Sequence, residues 1–388
     1  MKAPLDQWRP HFPILDTCTY LASHSLGAVP NATAHSLQAY FDQWATQGIL
    51  AWDGPWWQIV EEFSALIEQL LGAKPHTVVP MQNATRAMAA VASCLDYSGP
   101  RNRIVLTSME FTTSYPFWLS QKKLGAEVTI VESSDGITID TQALIDAIDE
   151  RTLLVPTSHV YFRSGAVQNL QAVVEAAHKH GAMVLGDGYQ ALGTVPVNVQ
   201  DLGIDFYVGG SHKWLCGGPG AAYLYVHPDR IQSMEPRMTG WFGLQNPFDY
   251  EPERSAPQLA DGVFRFLGGT PNVPALFAAK EGVSIVNQIG SEAIREKSTA
   301  QTAGIIAQAD ARGLEVRTPR QPERRSGMVC VHFSGAQAVT NRLCDQSIVV
   351  DWRPDCGLRL SPHFYNSDGD LSHFWSALDE ARQQETVA

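Results

Sequence analysis

The feature that most constrains this chain is a strict alternation of element types between residues 101 and 187. "RNRIVLTS" (101–108), "AEVTIVE" (126–132), "TLLVPTSHV" (152–160) and "AMVLGD" (182–187) are short apolar, β-branched runs bounded by polar residues or glycine, the pattern of buried strands. Between the last two lies "NLQAVVEAAHKHG", where Leu170, Val173, Val174 and Ala177 recur at i, i+3, i+4 and i+7 before Gly181, which predicts an amphipathic helix with a glycine stop. Strand, helix, strand in that order requires parallel pairing. The prediction is therefore an α/β fold, with a mostly parallel sheet, helices on both faces, and ligands gathered at the carboxyl ends of the strands.

The pattern changes near residue 280. A long helical stretch, "PALFAAKEGVSIVNQIGSEAIREKSTAQTAGIIAQADARG", leads to "GMVCVHFSG", "SIVVDWRP" and "GLRLSPH", which reads as a connecting helix and a smaller α+β unit. The expected organisation is an N-terminal segment (1–30) joining the small domain, a large domain (31–280) and a small C-terminal domain (281–388). At 388 residues the chain is long enough for such a pair. A net charge of −12 argues against nucleic acid or an anionic membrane as partner, since both demand a basic face. No apolar run approaches ~20 residues and the N-terminus lacks a signal peptide's apolar core, so a cytoplasmic location is expected. The cysteines Cys18, Cys94, Cys216, Cys330, Cys344 and Cys356 include no C-x-x-C pair, which fits reduced thiols and no metal site.

Chemistry concentrates at the predicted strand ends. Asp187 closes "AMVLGD", and a carboxylate there needs a cation or hydrogen bonds in answer. Lys213 follows in "DFYVGGSHKWLCGGPG", after the next apolar run. The two residues fit a structural ion pair. They equally fit a flat cofactor between them, with its ring nitrogen on the aspartate and its aldehyde on the lysine, as pyridoxal phosphate requires. "PMQNATRAMAAVASCL" (80–95) places Asn83, Ala84 and Thr85 before a helical pattern, so their N–H groups and the Thr85 hydroxyl fit either a plain cap or a phosphate cradle. Ser211 and His212, beside Lys213, are within reach of the same phosphate.

Taken together, "NATRA", "GDGYQALG", "GGSHKWLCGGPG" and "RFLGGTPN" (265–272) resemble, in order and spacing over residues 20–370, the fold type I pyridoxal phosphate enzymes of the class V aminotransferase group. The resemblance implies that Lys213 bonds the cofactor aldehyde, that Asp187 pairs with the pyridine nitrogen, and that Ala84, Thr85, Ser211 and His212 hold the phosphate. Thr270 would reach the phosphate site of a second subunit, which implies a homodimer. Gln190 matches a polar position facing the cofactor, and Phe111 a ring stacked on it, although core packing alone would also account for a phenylalanine. Arg359, in "GLRLSPHFYNS", matches the arginine that grips the substrate carboxylate, with His363 and Tyr365 as further candidates for the pocket wall.

Within the group the sequence most resembles kynureninases, through "TYLASHSLGAVP" (19–30), "TGWFG" (239–243) and "NPFDYEP" (246–252). That likeness implies hydrolysis of the Cβ–Cγ bond of an aryl-ketone amino acid, with Trp241 near the aryl group and His24 near the substrate. Four positions depart from it: Gln190 stands where kynureninases carry His, Ser114 where they carry Asp, Tyr161 where they carry Asn, and His24 where they carry Asn. Such changes around the ring also fit β-elimination, carbon–sulfur cleavage or transamination. Cleavage of the desulfurase type needs a cysteine on a mobile loop, for which Cys356 is the positional candidate and a buried thiol the plainer reading. Trp52, Trp56 and Trp57 cannot all be buried on one helix face, so a pocket wall or a dimer surface is expected there.

Overall fold

The structure is a computed structural model that describes residues 5–250 and 258–387. Glu251 and Pro252 of the "NPFDYEP" stretch lie outside the described residues. A seven-stranded sheet is built from β1 (Val78–Met81), β2 (Arg103–Thr107), β3 (Glu127–Val131), β4 (Thr152–Ser158), β5 (Met183–Asp187), β6 (Phe206–Gly210) and β7 (Ala222–Val226). Its spatial order is β1-β7-β6-β5-β4-β2-β3. Neighbours from β6 through β3 pair in parallel, and β7 alone runs against both β6 and β1. The four runs expected between 101 and 187 supply β2 to β5. Strands β6 and β7 are buried along their whole length, as the apolar runs of a sheet covered on both faces require.

Helices α1 (Ala32–Gln47), α2 (Pro55–Leu71), α3 (Ala84–Ser93) and α4 (Leu170–Lys179) come from this part of the chain. The predicted stripe Leu170, Val173, Val174 and Ala177 is the buried face of α4. The long stretch expected after residue 273 divides into two helices, α5 (Val273–Ile289) and α6 (Ser291–Ala311). The break falls at Gly290, whose φ of +85° is open to glycine and costly for other residues. Helix α5 packs on α1 and α2, while α6 runs to a second sheet.

That sheet is antiparallel, with order β10-β11-β9-β8, from β8 (Glu315–Val316), β9 (Val329–His332), β10 (Asp351–Arg353) and β11 (Gly357–Leu360). Helices α7 (Ala336–Asp345) and α8 (Asp368–Val387) accompany it. The N-terminal segment lies here: Thr19 and Tyr20 pair in parallel with Ile348 and Val349, and Arg9 forms a 2.7 Å ion pair with Asp370. It then crosses back, where the Gly27 N–H donates to the His212 carbonyl at 2.8 Å. Residues 19–27 thereby join the strand at 348–349, a two-stranded pairing beside the second sheet, to the carboxyl end of the first. Among the described residues no helix is long and apolar enough to cross a membrane.

Candidate active site

The carboxyl ends of the parallel strands meet a cavity of about 210 Å³ lined by Asn83, Ala84, Thr85, Phe111, Thr113, Ser158, Val160, Phe162, Asp187, Tyr189, Gln190, His212 and Lys213. Each strand delivers its last residues to one place because parallel pairing sets their ends side by side: Ser158 on β4 pairs in register with Asp187 on β5. Lys213 follows β6 and reaches the same space.

Asp187 and Lys213 face this cavity without forming an ion pair. The Asp187 carboxylate accepts a 2.9 Å hydrogen bond from the Tyr189 N–H. Burial raises its pKa, against that hydrogen bond and the charge of Lys213. The Lys213 ammonium lies 4.9 Å from the Tyr189 ring centre and 5.4 Å from that of Phe111. Burial brings its pKa down to about 8, partly offset by Asp187 and reinforced by Arg359. An amine in this state is available as a nucleophile near neutral pH.

The start of α3 forms one end of the cavity. The Asn83 side chain caps the helix by accepting from the Arg86 N–H, so the N–H groups of Ala84 and Thr85 have no partner among the described residues. Thr85 Oγ1 lies 3.0 Å from Thr113 Oγ1, which brings a second hydroxyl to the same end. Free N–H groups at a helix start with two hydroxyls beside them fit a phosphate. His212 completes that side, its Nδ1 2.8 Å from the Tyr189 hydroxyl, and burial next to Lys213 brings its pKa to about 4, so the ring is neutral. A buried carboxylate, an amine of lowered pKa, the exposed Phe111 ring and an anion cradle are together the donor set that pyridoxal phosphate needs.

The family model described as aminotransferase class-V matches residues 19–370. The chain belongs to the class V aminotransferase family. It is a pyridoxal phosphate-dependent enzyme with the fold type I architecture. A Bacillus subtilis protein named as an uncharacterized aminotransferase is 30% identical over 378 residues, 97% of this chain and 96% of its own. The kynureninase of Pseudomonas fluorescens is 28% identical, with 90% and 85% of the two chains covered. A cysteine desulfurase of Thermococcus onnurineus superposes with a TM-score of 0.87 at 21% identity, covering 98% of both chains, a likeness of fold.

Other residues singled out from the sequence sit around the cavity rather than on it. Ser211 is fully buried, and its hydroxyl donates to the carbonyls of Gly218 and Ala221 at 2.9 Å, bonds that shape the glycine turn. Gln190 does line the cavity, yet both ends of its amide are engaged: Nε2 donates to the His24 carbonyl at 3.0 Å and Oε1 accepts from Trp214 Nε1 at 2.8 Å. His24 is buried behind it, with Nδ1 against Ser361 Oγ and Nε2 3.8 Å from Asp351. Burial first, then Arg359 and Lys213, hold His24 well below the usual histidine range. Arg359 is buried on β11 and held by Asp351 and the Phe162 carbonyl. His363 and Tyr365 are fully buried packing residues, bonded to the Trp214 carbonyl and to Ser23.

Trp241 and Thr270 lie outside the cavity, on the surface of the chain. Trp241 packs on Phe242, Phe248 and Tyr250. Thr270 is exposed. Trp52, Trp56 and Trp57 do not share one helix face, and the expected pocket wall is not where they lie: Trp52 belongs to a short 3-10 helix (Gly48–Asp53) and Trp56 and Trp57 to α2, and the three pack around Tyr40, Phe242 and Phe264 without lining the cavity. Cys356 and Cys216 are buried, and burial raises both thiols. Sequence reasoning passed over Thr113, Ser158, Tyr189 and Phe162; "PTSHVYF" at a strand end carried the signal for two of them.

Proposed function

We propose that the protein is a kynureninase-like hydrolase that cleaves the Cβ–Cγ bond of an aryl-ketone α-amino acid. The observation that carries this reading is the pair Phe111 and Phe162, two cavity walls with ring centres 5.1 Å apart and nearly perpendicular, which with Val160 give an aryl side chain an apolar place beside Lys213. Similarity to kynureninases at 26–28% identity supports it. When bound, pyridoxal phosphate supplies an aldehyde for the substrate amine and a ring that accepts an electron pair. Lys213 Nζ takes the α-proton of the substrate, Asp187 would hold the ring nitrogen, and the α3 start with Thr85 and His212 would serve the phosphate, while Ser211 shapes the glycine turn beside them. Water adds to the γ-carbonyl, the Cβ–Cγ bond breaks, and an aryl acid and alanine leave. Arg359 is the candidate for the substrate carboxylate, His24 backs it, and Trp241 with Thr270 belongs to the site of a second subunit in a cytoplasmic homodimer. Phe41, Trp44, Ile49 and Leu50, exposed together on and after α1, support that dimer.

A second reading is transamination or β-elimination. It is favoured by Gln190, an amide already bonded at both ends where kynureninases carry a titratable ring, and by the name of the Bacillus subtilis relative. Incubating the cofactor-loaded protein with L-kynurenine and its 3-hydroxy form, and assaying alanine and the anthranilate product, separates the two. The two products in equal amounts support hydrolysis. Binding without them, seen as an absorption change, rules it out and favours the second reading.

A further inference from the structure

Glu110 is a buried carboxyl that the reactions above do not use. It lies one residue before Phe111, is only 3% exposed, and has no cation bonded to it among the described residues. Its partners are all hydrogen-bond donors: Oε2 accepts from Ser158 Oγ at 2.6 Å and from the Ser158 N–H at 2.9 Å, and Oε1 accepts from Thr107 Oγ1 at 2.7 Å. The titratable groups that face it are Asp187 on β5, Tyr115 on the short helix Ser114–Ser120, and Tyr161 on the loop after β4.

Ser158 sits between this carboxyl and the cavity. It lines the cavity and is the register partner of Asp187. A serine hydroxyl carries one hydrogen and two acceptor sites. With that hydrogen committed to Glu110, Ser158 can offer the cavity only lone pairs. A proton on Glu110 removes the reason for that commitment: the carboxylic acid donates to Ser158 Oγ, and the serine hydrogen is released toward the cavity.

We propose that Glu110 is a positioning residue that fixes the Ser158 hydroxyl as a hydrogen-bond acceptor toward the bound pyridoxal phosphate, and that one proton taken from solvent by Glu110 turns Ser158 into a donor. Burial, with the Asp187 charge adding to it and the Ser158 and Thr107 hydrogen bonds opposing, places the Glu110 pKa at about 7, so both states are populated at neutral pH. The cofactor ring then meets a fixed acceptor at Asp187 and, beside it, a group whose polarity follows pH. In the sequence "TSMEFTTSYPF" Glu110 does not stand out, because a carboxyl between a strand and a turn has the look of a solvated one.

The test is an absorbance titration of cofactor-loaded wild type, Glu110→Gln and Ser158→Ala across the neutral range. The wild type is expected to show a band change with its midpoint near 7, separate from any change belonging to Lys213. Both variants are expected to lose that component while keeping the rest of the titration, and Ser158→Ala to bind the cofactor several-fold more weakly. Persistence of the component in either variant overturns the proposal, and so does its loss in Glu110→Gln alone, which would mean that the carboxyl acts through its charge and not through Ser158. Ser158→Ala removes a single hydroxyl from a cavity wall, so it decides the matter even if Glu110→Gln does not fold.

Discussion

Arg359 and Asp351 stand directly opposite each other on β11 and β10, and the guanidinium donates to Oδ1 of the aspartate through Nη2 at 2.9 Å and Nε at 3.2 Å. The same carboxylate takes a 2.6 Å hydrogen bond from Ser25 and a 3.1 Å ion pair from Arg353. The remaining arm of Arg359 donates to the carbonyl of Phe162, a cavity wall, at 2.9 Å. The arginine is thus tied at once to the small sheet, to the N-terminal segment and to the large sheet's loop. A substrate carboxylate that engages it must share it with Asp351.

Asp351→Asn should therefore destabilise the protein out of proportion to the loss of one contact. It leaves a buried guanidinium without its anion, a change that costs about 3–5 kcal/mol where the remaining charge stays buried. Urea unfolding measures it. Adding Arg359→Leu should recover much of the loss, because the pair is coupled and the double variant buries no unpaired charge. Equal, additive losses in the two single variants would show that the pair carries no coupling.

The Lys213 amine should titrate near 8 before the cofactor is bound. Covalent capture of pyridoxal phosphate needs the neutral amine, so the rate of growth of the visible band on mixing apo-protein with cofactor should rise with pH, reach half its maximum near 8, and level off above. Stopped-flow absorbance follows it. A rate still climbing at the ordinary lysine value would show that burial does not lower this amine, and Lys213→Ala should give no such band at all.

The parallel core was legible because burial on both faces forces unbroken apolar runs, and α4 because its stripe is one-sided; Leu170 to Ala177 needed no tertiary knowledge. The site was legible where chemistry sits at strand ends, as at Asp187 and Lys213. Ser211 was misleading because proximity in sequence says nothing of rotamer: its hydroxyl turns into the backbone of the glycine loop. Ser25 was invisible because it meets Arg359 only after the N-terminus pairs with the strand at Ile348, a contact between residues more than three hundred apart that leaves no local pattern, whereas Asp351 meets Arg359 through the register of the neighbouring strands β10 and β11.

Asp205 should make stability depend on pH at both ends of the range. It is nearly buried and accepts from His178 Nε2 at 2.9 Å, the Val184 N–H at 2.8 Å and Arg230 Nε at 2.7 Å. Burial pushes the carboxyl up, but those three hydrogen bonds outweigh it and its pKa is lowered. Its stabilisation is present above the unfolded value of about 3.9 and is lost as pH falls through the lowered one. The hydrogen bond to Asp205 raises the pKa of His178, so that contribution is complete below about 6.5 and is lost as pH rises through the raised value. Urea midpoints against pH should show His178→Ala losing the alkaline-side decline and keeping the acid-side one. An unchanged alkaline limb would mean that His178 is not held by Asp205 in solution.

Gly27 explains why the opening "SHSLG" ends in glycine, and it yields the sharpest test of how the N-terminal segment serves the site. Its N–H donates to the His212 carbonyl at 2.8 Å, and the space where a side chain would begin is filled by the Lys213 carbonyl and the Cys216 backbone. The obstacle is backbone in a turn whose Cys216 already sits at a φ of +54°, so it cannot swing aside as a flexible side chain would. Gly27→Ala must push the turn that carries Lys213 or break the contact with His212, at a cost of about 1–3 kcal/mol for an overpacked site. Because the displaced atoms belong to Lys213 itself, cofactor binding should suffer more than global stability: the visible band per chain should fall well below wild type while the urea midpoint moves only by that amount. Gly304→Ala, at an α6 glycine with open space around it, is the control and should leave the band unchanged. A full-strength band in Gly27→Ala would show that the N-terminal segment merely packs against the lysine turn and does not set its position.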